Sequence, residues 1–122
     1  MANQLVWVDI PVLDLDRAIR SYSAVLGAEV KKQEYEGFAI GLLPGAESDV
    51  SGCLCVKQED DEGPSAGGLL IYLNAEGRLD EAIAAVGANG GKLLQTRHQI
   101  GPHGFRAVVL DSEGNRIALH ST

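Results

Sequence analysis

Apolar and polar residues alternate along several short stretches of the chain, which is the spacing of strands whose two faces meet different surroundings. The stretch 5–12 shows this alternation first, and a tight turn at Glu36-Gly37 separates two later stretches. A second turn signal, from Asp111 to Asn115, joins the last two stretches. The pattern predicts strands at about 5–12, 28–35, 37–43, 50–57, 69–74, 92–98, 104–110 and 115–120.

Two segments carry apolar residues three and four positions apart, which is typical of amphipathic helices. The first helix is predicted to begin at Asp14 or Asp16, either of which can cap it, and to end at Gly27. Its apolar positions are Leu15, Ala18, Ile19, Tyr22, Val25 and Leu26. The second helix is predicted to end at Gly90-Gly91, and its apolar positions are Leu79, Ala82, Ile83 and Val86.

Part of the first helix recurs 64 residues later in the chain. The residues Leu15-Asp16, Ala18-Ile19, Ala24 and Gly27 correspond to Leu79-Asp80, Ala82-Ile83, Ala88 and Gly91. In both copies a strand precedes the helix and further strands follow it, which indicates a duplicated β-α-β-β-β unit. We predict an α+β fold in which 1–122 form one domain, with module one at about 4–57, an acidic linker at 58–66 and module two at about 67–121. Each module is predicted to be a curved, mostly antiparallel four-stranded sheet with one helix, and the modules pair around a cavity.

The alternation also predicts which side chains point away from the helix. In each sheet the aliphatic set should pack on the helix, and the mixed set should occupy the other face, here named the open face. The residues assigned to the open faces are Trp7, Asp9, Cys53, Cys55, Tyr72, Ala118 and His120.

Composition and charge narrow the classes of function. The chain has 122 residues, of which 45% are hydrophobic and 22% charged, and this composition is typical of a globular protein. Its net charge of −7 makes binding to nucleic acid unexpected. It has no basic amphipathic segment and no apolar run near the roughly 20 residues of a membrane span, so we expect no membrane association and a cytoplasmic location. Its only cysteines, Cys53 and Cys55, are expected to be reduced, because residues two apart on a strand are poorly placed for a disulfide.

Several segments together resemble a known family. They are 8–12, 14–19, Tyr22 through Gly27, Gly90-Gly91 and 111–117. In these segments the chain resembles the glyoxalase, bleomycin-resistance and extradiol-dioxygenase group, also called the vicinal oxygen chelate superfamily. The resemblance implies paired β-α-β-β-β modules, usually within a homodimer. It leaves the activity open, since the superfamily includes lyases, isomerases, dioxygenases, thiol transferases and drug-sequestering proteins.

The resemblance also implies a divalent ion held by His and Glu side chains on the first and fourth strands of each module. In this chain Trp7 and Ala118 occupy two of those positions, and no His, Asp or Glu lies between Gly67 and Leu73. We therefore expect no metal and no cofactor. Asp9, His120, Cys53 and Cys55 form a possible substitute donor set, but two thiolates two residues apart would need strained geometry.

Three functions are compatible with this pattern. The first is a metal-free protein that binds a small, partly apolar organic molecule through Trp7, Asp9, Cys53, Cys55, Tyr72 and His120. The second is a lyase, isomerase or dioxygenase with relocated metal ligands, or an enzyme that uses Asp9 and His120 for metal-free acid-base chemistry. The third is a fold without a ligand whose sheet surface serves dimerisation. His98 and His103 are expected in a solvent-exposed loop.

Overall fold

The computed structural model describes residues 4–46, 49–56 and 63–122. The elements are β1 Trp7–Val12, α1 Leu15–Leu26, β2 Lys31–Tyr35, β3 Phe38–Leu42, β4 Ser51–Val56, β5 Ile71–Asn74, α2 Leu79–Ala88, β6 Lys92–Gln99, β7 Phe105–Leu110 and β8 Arg116–Ser121. A short 3-10 turn, Gly101–His103, precedes β7. Of the predicted acidic linker, only 63–66 lie within the described residues.

The strands form two sheets with the same topology. Sheet one has the order β1-β4-β3-β2, and sheet two has the order β5-β8-β7-β6. In each sheet the first and last strands of the module pair in parallel, and the other pairs are antiparallel. This arrangement confirms the duplicated β-α-β-β-β unit. The repeat is also kept in register, since α1 begins at Leu15 and α2 at Leu79.

Helix α1 has a defined beginning and end. Of the two predicted caps, Asp14 is the one used, and its carboxylate accepts a hydrogen bond of 3.0 Å from the backbone N–H of Arg17. The helix ends at Gly27, whose φ of 67° lies in the left-handed region that glycine adopts without strain. Neither of the two helices that the structure describes has the length and apolar composition needed to cross a membrane.

The apolar sides of both modules merge into one core. Helix α1 packs on β3 and β4, helix α2 packs on β6, β7 and β8, and the two helices pack against each other. The fully or nearly fully buried members of this core are Ile10, Val12, Ala18, Tyr22, Leu54, Ala75, Ala82, Val86, Val109 and Leu119. Because this shared core lies on the helix side of both sheets, the two open faces point away from it.

Polar contacts from the β7–β8 hairpin also join the modules. Tyr22 on α1 donates a hydrogen bond of 2.5 Å to the carboxylate of Asp111. The amide of Asn115 donates to the carbonyl of Pro11 at 2.8 Å and to Asp111 at 3.0 Å. Burial, and then the nearby Asp111 carboxylate, raise the pKa of Tyr22 well above its ordinary value. The predicted hairpin is thus a buried connection between modules as well as a turn.

Glu113, in the same hairpin, is the most strongly bonded carboxylate of this connection. It accepts hydrogen bonds of 2.9 Å from the backbone N–H groups of Leu13 and Asp14, and of 2.8 Å from Nε and Nη2 of Arg17. Burial by itself would raise the pKa of Glu113, but the hydrogen bonds from Arg17 and the backbone outweigh it and lower the pKa to about 2. Glu113 is therefore ionised and fixes the start of α1.

Candidate functional site

The open face of sheet one brings together four of the predicted site residues. Trp7 and Asp9 lie on β1, and Cys53 and Cys55 lie on the adjacent strand β4. Asp9 is the direct cross-strand partner of Cys53. Ile10 and Val12 on β1 and Leu54 on β4, which alternate with this set, belong to the core, so the alternation turns the set to the open face.

Asp9 is at the centre of this group. Its Oδ1 atom accepts a hydrogen bond of 3.1 Å from the indole Nε1 of Trp7 and one of 3.3 Å from Sγ of Cys53. Cys55 donates to the carbonyl of Ile10 at 3.7 Å, and neither cysteine is in a disulfide. Burial, and then the hydrogen bond to Asp9, raise the pKa of Cys53 to about 12. Cys53 is therefore a protonated thiol at neutral pH and a poor nucleophile.

Three ionisable groups of this face are close enough to be considered as metal ligands. One ligand atom from each of Asp9, Cys53 and Cys55 lies within 4.8 Å of the others. Two sulfurs and one carboxylate oxygen suit zinc or another thiophilic cation. Binding would require removal of the Cys53 proton, which its surroundings hold firmly, and closer approach of the two sulfurs.

The open face of sheet two carries a row of polar side chains across all four strands. Cross-strand pairing places His98 beside Arg106, Arg106 beside His120, and His120 beside Asn74. Tyr72 lies on the same face of β5 as Asn74, two residues before it, and pairs with Ala118 on β8. The row thus combines cationic and aromatic groups over a floor that includes the buried side chain of Ala118.

Arg106 connects this row through two hydrogen bonds. Its Nε donates to Nε2 of His98 at 2.9 Å, and its Nη1 donates to the hydroxyl of Tyr72 at 2.5 Å. The ring of Tyr72 meets the ring of His120 edge to face, with centroids 6.4 Å apart. Nε2 of His120 donates to the carbonyl of His103 at 2.6 Å. Arg106 is the most connected residue of the open face of sheet two.

Sequence reasoning missed Arg106 and misplaced His98. The strand predicted at about 92–98 included His98, whereas His98 itself was expected in the solvent-exposed loop; the structure places it in β6 beside Arg106, so the loop expectation was wrong. His103 lies in the 3-10 turn. The sequence does carry a signal for Arg106, because it is the one charged residue in the apolar strand FRAVVL. It alternates with the core residue Val109 and so points to the open face, as Val108 does.

Asp9 and His120 do not contact each other within one chain. Asp9 bonds to Trp7 and Cys53 on sheet one, whereas His120 bonds to the backbone of His103 beside sheet two. A groove of about 250 Å³ lies elsewhere, at the end of β2 and β3, and is lined by Glu29, Lys31, Leu42, Leu43, Pro44 and Gly45. The chain therefore presents two separate open faces and a shallow groove at one edge.

Several large aromatic side chains are exposed on these two faces. They are Trp7, Tyr35, Phe38 and Tyr72. Phe38 is 55% exposed and stacks on Tyr35 at a centroid distance of 5.0 Å. The open faces therefore present aromatic surface to solvent within one chain.

A sequence model of the Glyoxalase/Bleomycin resistance protein/Dioxygenase superfamily matches residues 4–119. The chain belongs to this superfamily. A glyoxylase-like domain-containing protein from Didymella fabae is 30% identical over 126 residues, which cover 96% of this chain and 92% of that protein. These matches confirm the resemblance seen in the sequence.

Solved structures of superfamily members share the fold. A glyoxalase/bleomycin resistance protein from Albidiferax ferrireducens T118 superposes with a TM-score of 0.76 at 18% identity, covering 98% of this chain and 99% of that one. A glyoxalase-related enzyme from Fulvimarina pelagi gives a TM-score of 0.69 at 19% identity, covering 99% of this chain and 89% of that one. At such low identity the structures show the common fold alone.

The divalent ion that the superfamily implies does not fit the residues at its usual positions. The indole of Trp7 is a hydrogen-bond donor with no lone pair for a metal, and it donates to Asp9. Ala118 has no ligand atom, and the polar side chains of β5 are those of Tyr72 and Asn74. Three or four nitrogen, oxygen or sulfur ligands are needed to hold such an ion, so these positions do not provide a site.

Proposed function

We propose that this member of the superfamily binds a small, partly apolar organic molecule on its open sheet faces and does so without the inherited metal. The observation that carries the proposal is Trp7, which replaces a metal ligand with an exposed aromatic wall whose N–H is held by Asp9. Binding sites for organic ligands combine apolar and aromatic walls with a few polar groups. The open faces offer this combination at Trp7 and Asp9 and again at Tyr72 and His120.

We further propose that the site is completed in a homodimer, where sheet one of one protomer faces sheet two of its partner. The support is the position of the core, which lies between the helix sides of the two sheets and leaves both open faces uncovered within one chain. Exposed aromatic residues such as Trp7 and Phe38, which lie on the open face of sheet one, would be buried by such pairing. A cytoplasmic location is part of the proposal, because Cys53 and Cys55 are thiols, which a reducing compartment preserves.

Fluorescence of the single tryptophan tests the ligand site. A screen of small organic molecules should find ligands that change Trp7 emission, because the indole lies on the proposed wall. His120→Ala should weaken binding by roughly 1–2 kcal/mol, the scale of one lost hydrogen bond. Trp7→Leu should lower both affinity and stability.

His103→Ala is the matched control for this screen. The interaction of His120 with residue 103 uses the backbone carbonyl, which the substitution retains, so affinity should be unchanged. Ligands that leave Trp7 emission constant and bind equally well to the His120→Ala and Trp7→Leu variants would place the site elsewhere and refute the proposal.

A second candidate is an enzyme with relocated metal ligands, and the donor atoms of Asp9, Cys53 and Cys55 within 4.8 Å favour it. The two candidates differ in metal content. Our proposal predicts that the purified protein carries no stoichiometric zinc, nickel, iron or manganese and does not isomerise the methylglyoxal-glutathione hemithioacetal. Elemental analysis that finds about one metal ion per chain, lost in Asp9→Asn or Cys53→Ser, would establish the second candidate instead.

A further inference from the structure

Sheet two has an unusual charge for a protein with a net charge of −7. Its strands β5, β6, β7 and β8 contain no Asp or Glu, although they carry Lys92, Arg97, Arg106 and Arg116 together with His98 and His120. The carboxylates of module two lie on α2, in the loops or in the buried hairpin. Arg97 lies on the helix side, where it pairs with Asp80, so the open face itself carries Arg106, Arg116, His98 and His120. This cationic face in an otherwise acidic chain attracts small anions.

Arg106 is a cation at the middle of this open face, and none of the described carboxylates serves as its counterion. Arg97 pairs with Asp80 at 3.2 Å, whereas no carboxylate bonds to Arg106 in the part of the chain that the structure describes. A guanidinium has five N–H donors, and Arg106 directs two of them to His98 and Tyr72. Three donors remain, one on Nη1 and two on Nη2, and a carboxylate can accept hydrogen bonds from both nitrogens.

We propose that Arg106 and Tyr72 bind the carboxylate of the organic ligand. This inference rests on the proposed function and names the chemical class of its ligand, an organic acid with an apolar body. The Tyr72 hydroxyl accepts from Arg106, and its own proton has no acceptor among the described residues, so it can donate to the same carboxylate. Arg106 and Tyr72 thus have unused donors on two adjacent, hydrogen-bonded side chains with which to bind one anion.

His98 positions the guanidinium. Nε2 of His98 accepts a hydrogen bond of 2.9 Å from Arg106, because an arginine can only donate. Nδ1 of His98 lies 2.8 Å from the carbonyl of Thr96, which can only accept, so the ring proton is on Nδ1. This neutral tautomer holds the Nε edge of Arg106. The Nη end is therefore turned toward Tyr72 and the ligand.

The floor of the site favours a carboxylate over a phosphate. Val108 and Ala118, which lie between Arg106 and Tyr72 in the cross-strand rows, are buried and apolar. The donors of Arg106 and Tyr72 suit the two oxygens of a carboxylate, whereas a phosphate dianion would bring a second negative charge and further oxygens over this apolar floor. A monocarboxylic acid can instead place its anion on Arg106 and its apolar body on the aromatic side chains nearby.

Matched pairs of acids and amides test the proposal. Benzoate and phenylacetate, each compared with its primary amide, are titrated into the full chain, with inorganic phosphate as a third probe. Affinity is measured by calorimetry, and the Nε–H resonance of Arg106 is followed by NMR. We expect both acids to bind, the amides to bind at least about tenfold more weakly, and the Arg106 resonance to shift with the acids, since a hydrogen bond to a charged group contributes roughly 1.5–3 kcal/mol.

Substitutions then assign the contacts. Arg106→Gln should weaken acid binding at least about tenfold, and Tyr72→Phe, which removes only the hydroxyl, should weaken it roughly 2–10-fold. Arg97→Gln is the control, because it removes the same charge from the same sheet where the guanidinium lies over Phe105 and pairs with Asp80. His98→Leu should weaken binding, and His98→Gln, whose amide oxygen can accept from Arg106, should restore it.

The outcomes separate this inference from the proposed function. Equal binding of acids and amides, with a change in Trp7 emission, would overturn the carboxylate assignment and leave the ligand site in place. Phosphate that competes as well as benzoate would also overturn it, since the site would then be a general anion site. If neither acids nor amides bind, the inference is wrong, and the screen of Trp7 emission decides the proposed function separately.

Discussion

Two carboxylates of this chain show how much the surroundings decide the role of a residue. Asp9 is exposed and holds the indole of Trp7 and the thiol of Cys53, so it shapes a surface that a ligand can reach. Glu113 is buried and holds the beginning of α1 through Arg17 and the backbone. The sequence predicts the open-face position of Asp9 from the alternation along its strand. For Glu113 it predicts a turn but not the buried contacts, because the partners of Glu113 lie about 100 residues away in the chain.

Glu113 should make stability depend on pH in the acid range. Its pKa is lowered to about 2 from a usual value of 4.5, so its contribution is present above pH 4.5 and is lost as pH falls toward 2. We expect the wild type to lose about 2–3 kcal/mol of unfolding free energy over this interval through Glu113, a loss that Glu113→Gln should not show. Urea unfolding at several pH values measures it, with the exposed Glu81→Gln as control. Parallel pH profiles for wild type and Glu113→Gln would contradict the assignment.

At the scale of elements, the sequence predicts the fold well because each module repeats simple local signals. The helices are identified by apolar spacing, by the cap at Asp14 and by the stop at Gly27, and each predicted strand is present with ends shifted by up to three residues. The shifts occur where pairing partners, rather than local propensity, decide the last residue of a strand. His98 lies at the predicted end of its strand, and its place in β6 rather than in the following loop is decided by pairing with Arg106 on β7.

The end of α1 provides a test of a contact between elements. Arg78, just before α2, donates to the carbonyl of Val25 at 2.6 Å, and a Cβ at Gly27 would lie 2.7 Å from the Arg78 guanidinium carbon. Gly27→Ala should therefore cost about 1 kcal/mol for the left-handed backbone and about 1 kcal/mol more for the displaced Arg78.

Gly37→Ala is the matched control for Gly27→Ala in a urea titration. Gly37 has a φ of 83° in the β2–β3 turn, and no atom lies within 4 Å of the position that an added methyl group would occupy, so only the backbone cost applies. Equal losses of stability in the two variants would show that the Arg78 contact contributes nothing.

For the whole molecule, the sequence predicts the set of open-face residues but not how the two faces are arranged. Parity assigns Trp7 and His120 to open faces, and the structure agrees with that orientation. Whether the faces meet within one chain depends on packing between modules, which arises from contacts such as those of α1 with α2 and of Tyr22 with Asp111. Contacts of this range leave no periodic signal in the sequence.

The arrangement predicts a dimer. Sedimentation at micromolar concentration should give twice the chain mass of 12.9 kDa. Phe38→Glu, which puts a charge on the open face of sheet one, should raise the dimer dissociation constant at least about tenfold, since burying an unpaired charge is costly. Leu13→Glu is the control, because Leu13 is 58% exposed between β1 and α1, on neither open face. A wild-type protein that sediments as a stable monomer would contradict the prediction.

The central claim is that ligands bind on the open sheet faces, and an NMR shift map with a ligand found in the screen tests it most directly. We predict that the largest shifts fall on the Trp7 Nε1–H and on backbone amides of β1, β4, β5, β7 and β8, with little change along α1 and α2. Shifts confined to the helices, or to the groove formed by Glu29, Lys31 and Leu42 to Gly45, would contradict the claim.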